Sequence, residues 1–291
     1  MNTSTDIPNT IINTINTIFQ NLFSSIDTKL YEVLDDLAFI SADILQDRYF
    51  NNIFGTSTTS GILLISNSLL IGIVIYFSIK FLMSSFTYSK IETPIQFIFK
   101  LLIFGICMNS SYFIVEEIIK LNFNISLAIR GLGEDLFGKN ICFSNLIYSI
   151  NSSIAENSEL NVFTLDGIIT GTITMSLLNL VFSYSIRYVM VKIFVLLSPF
   201  AFLSLCLEST SWFFKAWIRN LFSLLFIQII ISILLLIIFS MDYSSKDLLT
   251  KYIYIGAIYC LIKVNSMVRE FIGGISTDIQ NNMQGLKIGK R

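Results

Sequence analysis

The chain contains no histidine, which removes the commonest acid/base group and the commonest metal ligand. Its four cysteines (Cys107, Cys142, Cys206, Cys260) are scattered, with no CxxC pair. Three of them fall in apolar segments, where cysteine behaves as a small hydrophobe. Neither a zinc site nor a disulfide framework is expected, and no cofactor is implied. Charge is scarce as well. Only 13% of residues are charged and the net charge is −1, so no basic surface marks nucleic acid as a partner. A phosphate-binding GxxxxGK[ST] loop is absent, which excludes ATP hydrolysis by that route. The glycines of Gly131–Gly138 follow no strand pattern and read as a loop bend. No Lys or Arg precedes the apolar positions of the first 27 residues, so no secretory signal is expected.

What is present is apolar sequence. Of 291 residues, 54% are hydrophobic, against roughly 45–50% apolar and 25% charged in soluble domains. The excess is gathered in blocks of about 20 residues, the length a helix needs to cross a hydrocarbon core of roughly 30 Å. Within them polar positions do not recur at helical period, as a water-facing helix would require. The expected fold class is therefore all-α: a polytopic helical membrane protein with about five transmembrane helices plus amphipathic helices.

Along the chain, residues 1–60 read as an extracytoplasmic amphipathic helical region. Ile7, Ile11, Ile15, Ile18, Leu22 and Ile26 stand at helical spacing, and Leu30, Val33, Leu34, Leu37 and Ile40 continue the pattern. A region this short cannot build its own core and should dock on something. Residues 61–115 hold the first transmembrane pair, Gly61–Met83 and Ile95–Val115. Residues 116–167 read as an external loop, amphipathic up to Arg130 and polar beyond it. Residues 168–268 form the C-terminal membrane bundle. Here 168–207 is long enough for two crossings, and Arg187 and Lys192 at its middle suggest a tight hairpin between spans 168–186 and 190–207. Residues 208–219 read as an interfacial helix with Trp212 and Trp217 at headgroup depth. Asn220–Met241 is the clearest span. Residues 252–268 could cross, re-enter or lie flat, and 269–291 form a basic cytoplasmic tail. Lysines 80, 90 and 100 place the first linker in the cytoplasm by the positive-inside rule.

The apolar segments contain no central Asp or Glu, which argues against proton- or sodium-coupled carriage. Asn179 and Gln228 lie within spans and read as packing groups. Pro199 removes one backbone hydrogen bond from its helix and should kink it.

The stretch 192–240 resembles the VirB6/TrbL family, polytopic membrane subunits of type IV secretion and conjugation machines. Pro199, Phe200 and Ala201 match that family's Pro-Phe/Leu-Ala step, Ser209, Thr210 and Ser211 its polar break, and Phe213 and Trp217 its aromatic positions. The tail from Val268 to Lys287 is similar to TrbL-type proteins of conjugative elements. The resemblance implies a non-enzymatic channel or scaffold subunit in the bacterial cytoplasmic (inner) membrane. Its partners would be other secretion-system membrane subunits, the energising ATPases and further copies of itself, with translocated DNA or protein as substrate. Pro199, Phe200, Phe213, Trp217 and Arg219 are the channel and assembly candidates. The alternative is a small-molecule transporter or permease subunit, which would show an internal repeat and polar groups at the midplane; the sequence displays neither. An embedded enzyme is the third reading and fits least.

Overall fold

A computed structural model describes residues 29–55, 60–87, 93–146, 165–241 and 248–272, together with Thr14 and Thr17. Apart from Thr14 and Thr17, the expected helix over 7–27 lies outside the described residues, as does the tail beyond Ile272. Among those described, every regular element is helical. They run α1 (Lys29–Ala38), a 3-10 turn (Ala42–Leu45), α2 (Arg48–Phe54), α3 (Ile62–Thr87), α4 (Pro94–Asn109), α5 (Ser111–Phe137), α6 (Leu165–Leu203), two 3-10 turns (Ser204–Cys206, Glu208–Thr210), α7 (Ser211–Ser240) and α8 (Leu248–Ile272).

Local chemistry sets several of the boundaries. Thr93 caps α4 through the amide of Gln96 while the Gln96 side chain returns to the Thr93 amide, with Pro94 in the first turn. This capping box satisfies two otherwise orphaned donors. Asp47 caps α2 through the Tyr49 amide. Helix α5 ends at Gly138, whose φ of 63° is left-handed and costs glycine nothing.

Among the described residues, three helices are long and apolar enough to cross a membrane: Ile62–Ser84, Gly171–Cys206 and Glu208–Ser240. A fourth span is possible if α4 and α5 count as one, although they bend by 60° at their junction. The described residues thus show three or four of the five expected spans and do not confirm the fifth. The main correction falls on 168–207, where a tight hairpin was expected. The chain instead runs as one 39-residue helix. Arg187 does not break it, because its guanidinium is buried against a neighbouring helix and needs no aqueous turn. A second difference lies in 95–115, expected as one uninterrupted span. It breaks at Ser110, and Asn109 turns its amide back onto the Gly105 carbonyl while pairing with Asn67 of α3. The third is the separate interfacial helix over 208–219. From Ser211 it is the first part of α7, since nothing between Arg219 and Leu221 interrupts the backbone ladder. The expected loop 116–167 is helical through Phe137.

The core has two lobes. One gathers Ile44, Leu45, Phe50 and Phe54 of the N-terminal segment with Met108, Tyr112, Val115 and Ile119, the second half of α6 and the first half of α7. The other packs Leu34, Ala38 and Phe39 with Ile141, Phe143 and Leu146, the first half of α6, the second half of α7, and α8. The N-terminal segment therefore docks on its own chain. Asp35 strengthens that join: its carboxylate accepts the amides of Phe143 (2.8 Å) and Ser144 (3.3 Å) and the Ser144 hydroxyl (3.0 Å).

Candidate functional site

The five site residues named from sequence lie on one hairpin, formed by the end of α6 and the start of α7. Pro199 sits inside α6 without ending it. A proline leaves the carbonyl four residues earlier without its amide donor. Here the hydroxyl of Ser198 donates to that carbonyl, Val195 O, at 2.7 Å, so the helix continues to Leu203. Two 3-10 turns then reverse the chain. Thr210 Oγ1 donates to the carbonyls of Ser204 (2.8 Å) and Leu207 (3.2 Å), and Ser211 Oγ to that of Glu208 (2.9 Å). The turn satisfies much of its own backbone polarity through side chains.

Trp217 was read as a headgroup-level anchor. It is instead 3% exposed, with its indole N–H donating to the Phe194 carbonyl at 2.8 Å. Its ring packs with Phe202 and Phe214 at centroid distances of 5.8 and 5.7 Å. Trp212 is the exposed tryptophan. Phe200 and Phe213 come together in the wall of a groove of about 550 Å³, which α3 closes on the other side with Leu69, Gly72, Ile73 and Tyr76. Arg219 stands apart, exposed on the outer face of α7. At the rim, Lys100 Nζ of α4 lies 3.7 Å from Glu208 Oε1. The structure thus unites Phe200 with Phe213, places Pro199 and Trp217 in the supporting core, and leaves Arg219 outside.

A second arrangement went unread in the sequence. Arg187 is fully buried at the boundary between the two lobes, between Tyr184 of one and Val191 of the other. Its Nη2 donates to the carbonyls of Ala38 (2.7 Å) and Leu37 (3.3 Å), the open C-terminal end of α1. Those carbonyls have no intrahelical donor, and the helix dipole makes this end negative. The guanidinium also lies 5.6 Å from the Tyr184 ring centroid. Arg187 therefore caps α1 from inside the bundle.

Other buried polar groups share that stratum. Ser126 of α5 hydrogen-bonds Ser232 of α7 at 2.5 Å, and Asn265 of α8 donates to Ser183 of α6. Gly133 faces Leu236, so α5 and α7 run parallel, in a register that sets Asn122 level with Gln228. Counting equal steps from the Trp217–Phe194 contact along antiparallel α6 and α7 brings Ser183 to the same level. Several atoms of this layer have no hydrogen-bond partner among the described residues: Arg187 Nε and Nη1, both amide atoms of Gln228, Asn122 Nδ2 and Asn265 Oδ1. Each such group costs about 1–3 kcal/mol when left unsatisfied.

The four cysteines are free thiols. Burial raises the Cys142 thiol above its ordinary value, which works against thiolate chemistry there. Among the described residues no group of three or more His, Cys, Asp or Glu is placed to hold a metal ion. Comparison with protein-family models, curated proteins and solved structures finds no match.

Proposed function

We propose that the chain is a non-enzymatic, multi-pass membrane subunit of a type IV secretion or conjugative DNA-transfer apparatus, acting as channel or scaffold in the bacterial inner membrane. The observation that carries this reading is the contrast in covering. Only 11% of the apolar window of α3 is buried within the chain, against 56% for α7. A subunit that works by assembly has such a surface to spare, because neighbouring subunits and lipid complete it. The resembling stretch 192–240 supports the same reading, since its matched residues meet at one hairpin whose groove opens onto α3. On this proposal the partners are other membrane subunits of the apparatus, its ATPases and further copies of the chain. The test is conjugative transfer from cells lacking the gene. Loss of transfer with rescue by the restored gene supports the proposal, and transfer at the parental rate overturns it.

One observation favours a second reading, a permease subunit. The layer of Asn122, Ser183, Arg187, Gln228 and Asn265 supplies the buried polar groups that a solute-binding bundle needs. Solute uptake that is lost on deletion while conjugation persists would favour it.

A further inference from the structure

The groove beside the hairpin has a geometric consequence. The apolar crossing of α3, Ile62–Ser84, has 23 residues, about 35 Å at 1.5 Å per residue. Leu69, Gly72, Ile73 and Tyr76, the residues that wall the groove, form its middle. The opposite wall includes Ser204, Leu207, Thr210 and Trp212, so the turn between α6 and α7 stands beside the midpoint of α3 and not beside either end. Helix α4 gives the same depth independently. Phe97 stacks on Phe77 with centroids 3.6 Å apart, and Asn109 pairs with Asn67. Lys100, between them on antiparallel α4, is level with the centre of α3, and Lys100 is the residue that meets Glu208.

Non-helical backbone and ionised side chains at membrane depth are tolerated only where protein buries them or water reaches them. The backbone of this turn meets the first condition, through Thr210 and Ser211. Glu208 does not: its side chain is 83% exposed. Apolar lipid against that carboxylate would be costly, and a single cation 3.7 Å away does not replace its hydration.

We infer that the α6–α7 turn is re-entrant and that Glu208, with Lys100 beside it, faces a water-filled path at mid-depth of the membrane. The path would take hydrated, polar cargo, and its wall would carry both signs of charge. This inference depends on α3 crossing the bilayer and not on the secretion reading. Its test reads position alone, whereas the transfer assay reads function, so either fails without the other.

The experiment is thiol labelling of the full-length chain in intact membranes with a membrane-impermeant charged methanethiosulfonate reagent. Glu208→Cys is compared with Ile71→Cys, which is exposed on α3 at the same depth. The unsubstituted chain sets the background from its four native thiols, and monodisperse elution after extraction verifies that each variant is folded. Should Glu208→Cys misfold, Ser211→Cys takes its place. The expected result is labelling at 208 above background and none at 71. Absence of labelling at 208 in a folded variant overturns the inference, because lipid or protein then covers the turn. Equal labelling at both positions overturns it too, since α3 would not lie in hydrocarbon.

Discussion

The α3–α4 pair and helices α6 and α7 of the α5–α6–α7 bundle are all strongly apolar, yet the two regions spend that apolarity differently. In the bundle, and where α8 packs on it, helices meet through small and polar groups: Ser126 against Ser232, Gly133 against Leu236, and Asn265 of α8 against Ser183. Without a hydrophobic driving force between helices in lipid, such contacts are what hold membrane helices together. In the pair, the joining contacts among the described residues include the Asn67–Asn109 amide contact and the stacked Phe77–Phe97 rings. Ile71, Ile75, Ile79 and Leu82 of α3 and Ile98, Leu102 and Ile106 of α4 stay more than half exposed. Hydrophobicity therefore selects the membrane, while small and polar residues select the neighbour.

The sharpest way to break the bundle is at Trp217. Replacing it by alanine removes a ring held by Phe202, Phe214 and the Phe194 carbonyl, and should lower unfolding stability in detergent by about 3–5 kcal/mol, the usual cost of a buried Trp→Ala change. Arg187→Ala comes next. It strips the cap from the Leu37 and Ala38 carbonyls and leaves a cavity between the two lobes, and the loss should be about 3 kcal/mol. Arg187→Met fills most of that volume while leaving the carbonyls bare, so it should lose less. A stability equal to or above the parent's for Arg187→Ala would show that the uncompensated charge costs more than its two hydrogen bonds return. Both are read by the same chemical denaturation series followed by tryptophan fluorescence or, for Trp217→Ala, by circular dichroism.

At two glycines, one in each region, an added methyl group should act with opposite sign. At Gly133 an added Cβ would run into Ile141 and Leu236. Overpacking of this kind costs about 1–3 kcal/mol, and Gly133→Ala should be destabilising by that order. At Gly72 nothing lies within 4 Å of the added atom. There Gly→Ala recovers only the helix-propensity term, about 0.5–1 kcal/mol in favour of the folded chain. A destabilising Gly72→Ala, measured as a lower melting temperature, would mean that something outside the chain already fills the groove beside α3.

How much of this was legible in the sequence differs between the same two regions. The α3 segment was readable because its environment is nearly uniform: length and apolarity decide it. The start of α4 carries its own signal in Thr93, Pro94 and Gln96, whereas its break at Ser110 was not readable, because it goes with the Asn109–Asn67 pairing to a helix 42 positions away. The bundle was harder. Arg187 read as a turn because an arginine in a long apolar run is expensive, and its actual partner, the end of α1, lies about 150 positions away in sequence. Trp217 read as an interface anchor because exposure is not written in residue type; only the buried Phe194 carbonyl decides it. The Ser126–Ser232 and Ser183–Asn265 contacts leave no local trace, since a serine in a membrane helix serves equally as a lone back-bonded hydroxyl, as Ser78 does on α3. Of the site, the hairpin was legible as a motif, whereas the α3 wall of its groove was not. That wall comes from a segment more than a hundred residues upstream.

The smallest expected effect lies where the N-terminal segment joins the bundle, and its sign follows from Asp35. Burial raises the Asp35 carboxyl above its ordinary 3.8, and that exceeds the opposing pull of the Phe143 and Ser144 hydrogen bonds and of Arg130. The folded chain then holds this proton at a pH where the unfolded chain has released it. By linkage, stability contributed at this site is present below 3.8, falls as pH rises from there through the raised native value, and is flat above it. Asp35→Asn removes the titration, so its stability should be flatter across that acid window than the parent's. The curves to compare are denaturation midpoints of parent and variant from pH 3 to 7 at constant ionic strength. If the parent instead gains stability as pH rises through the window relative to Asp35→Asn, the three hydrogen bonds outweigh burial, and Asp35 joins the N-terminal segment to the bundle as a fully ionised cap.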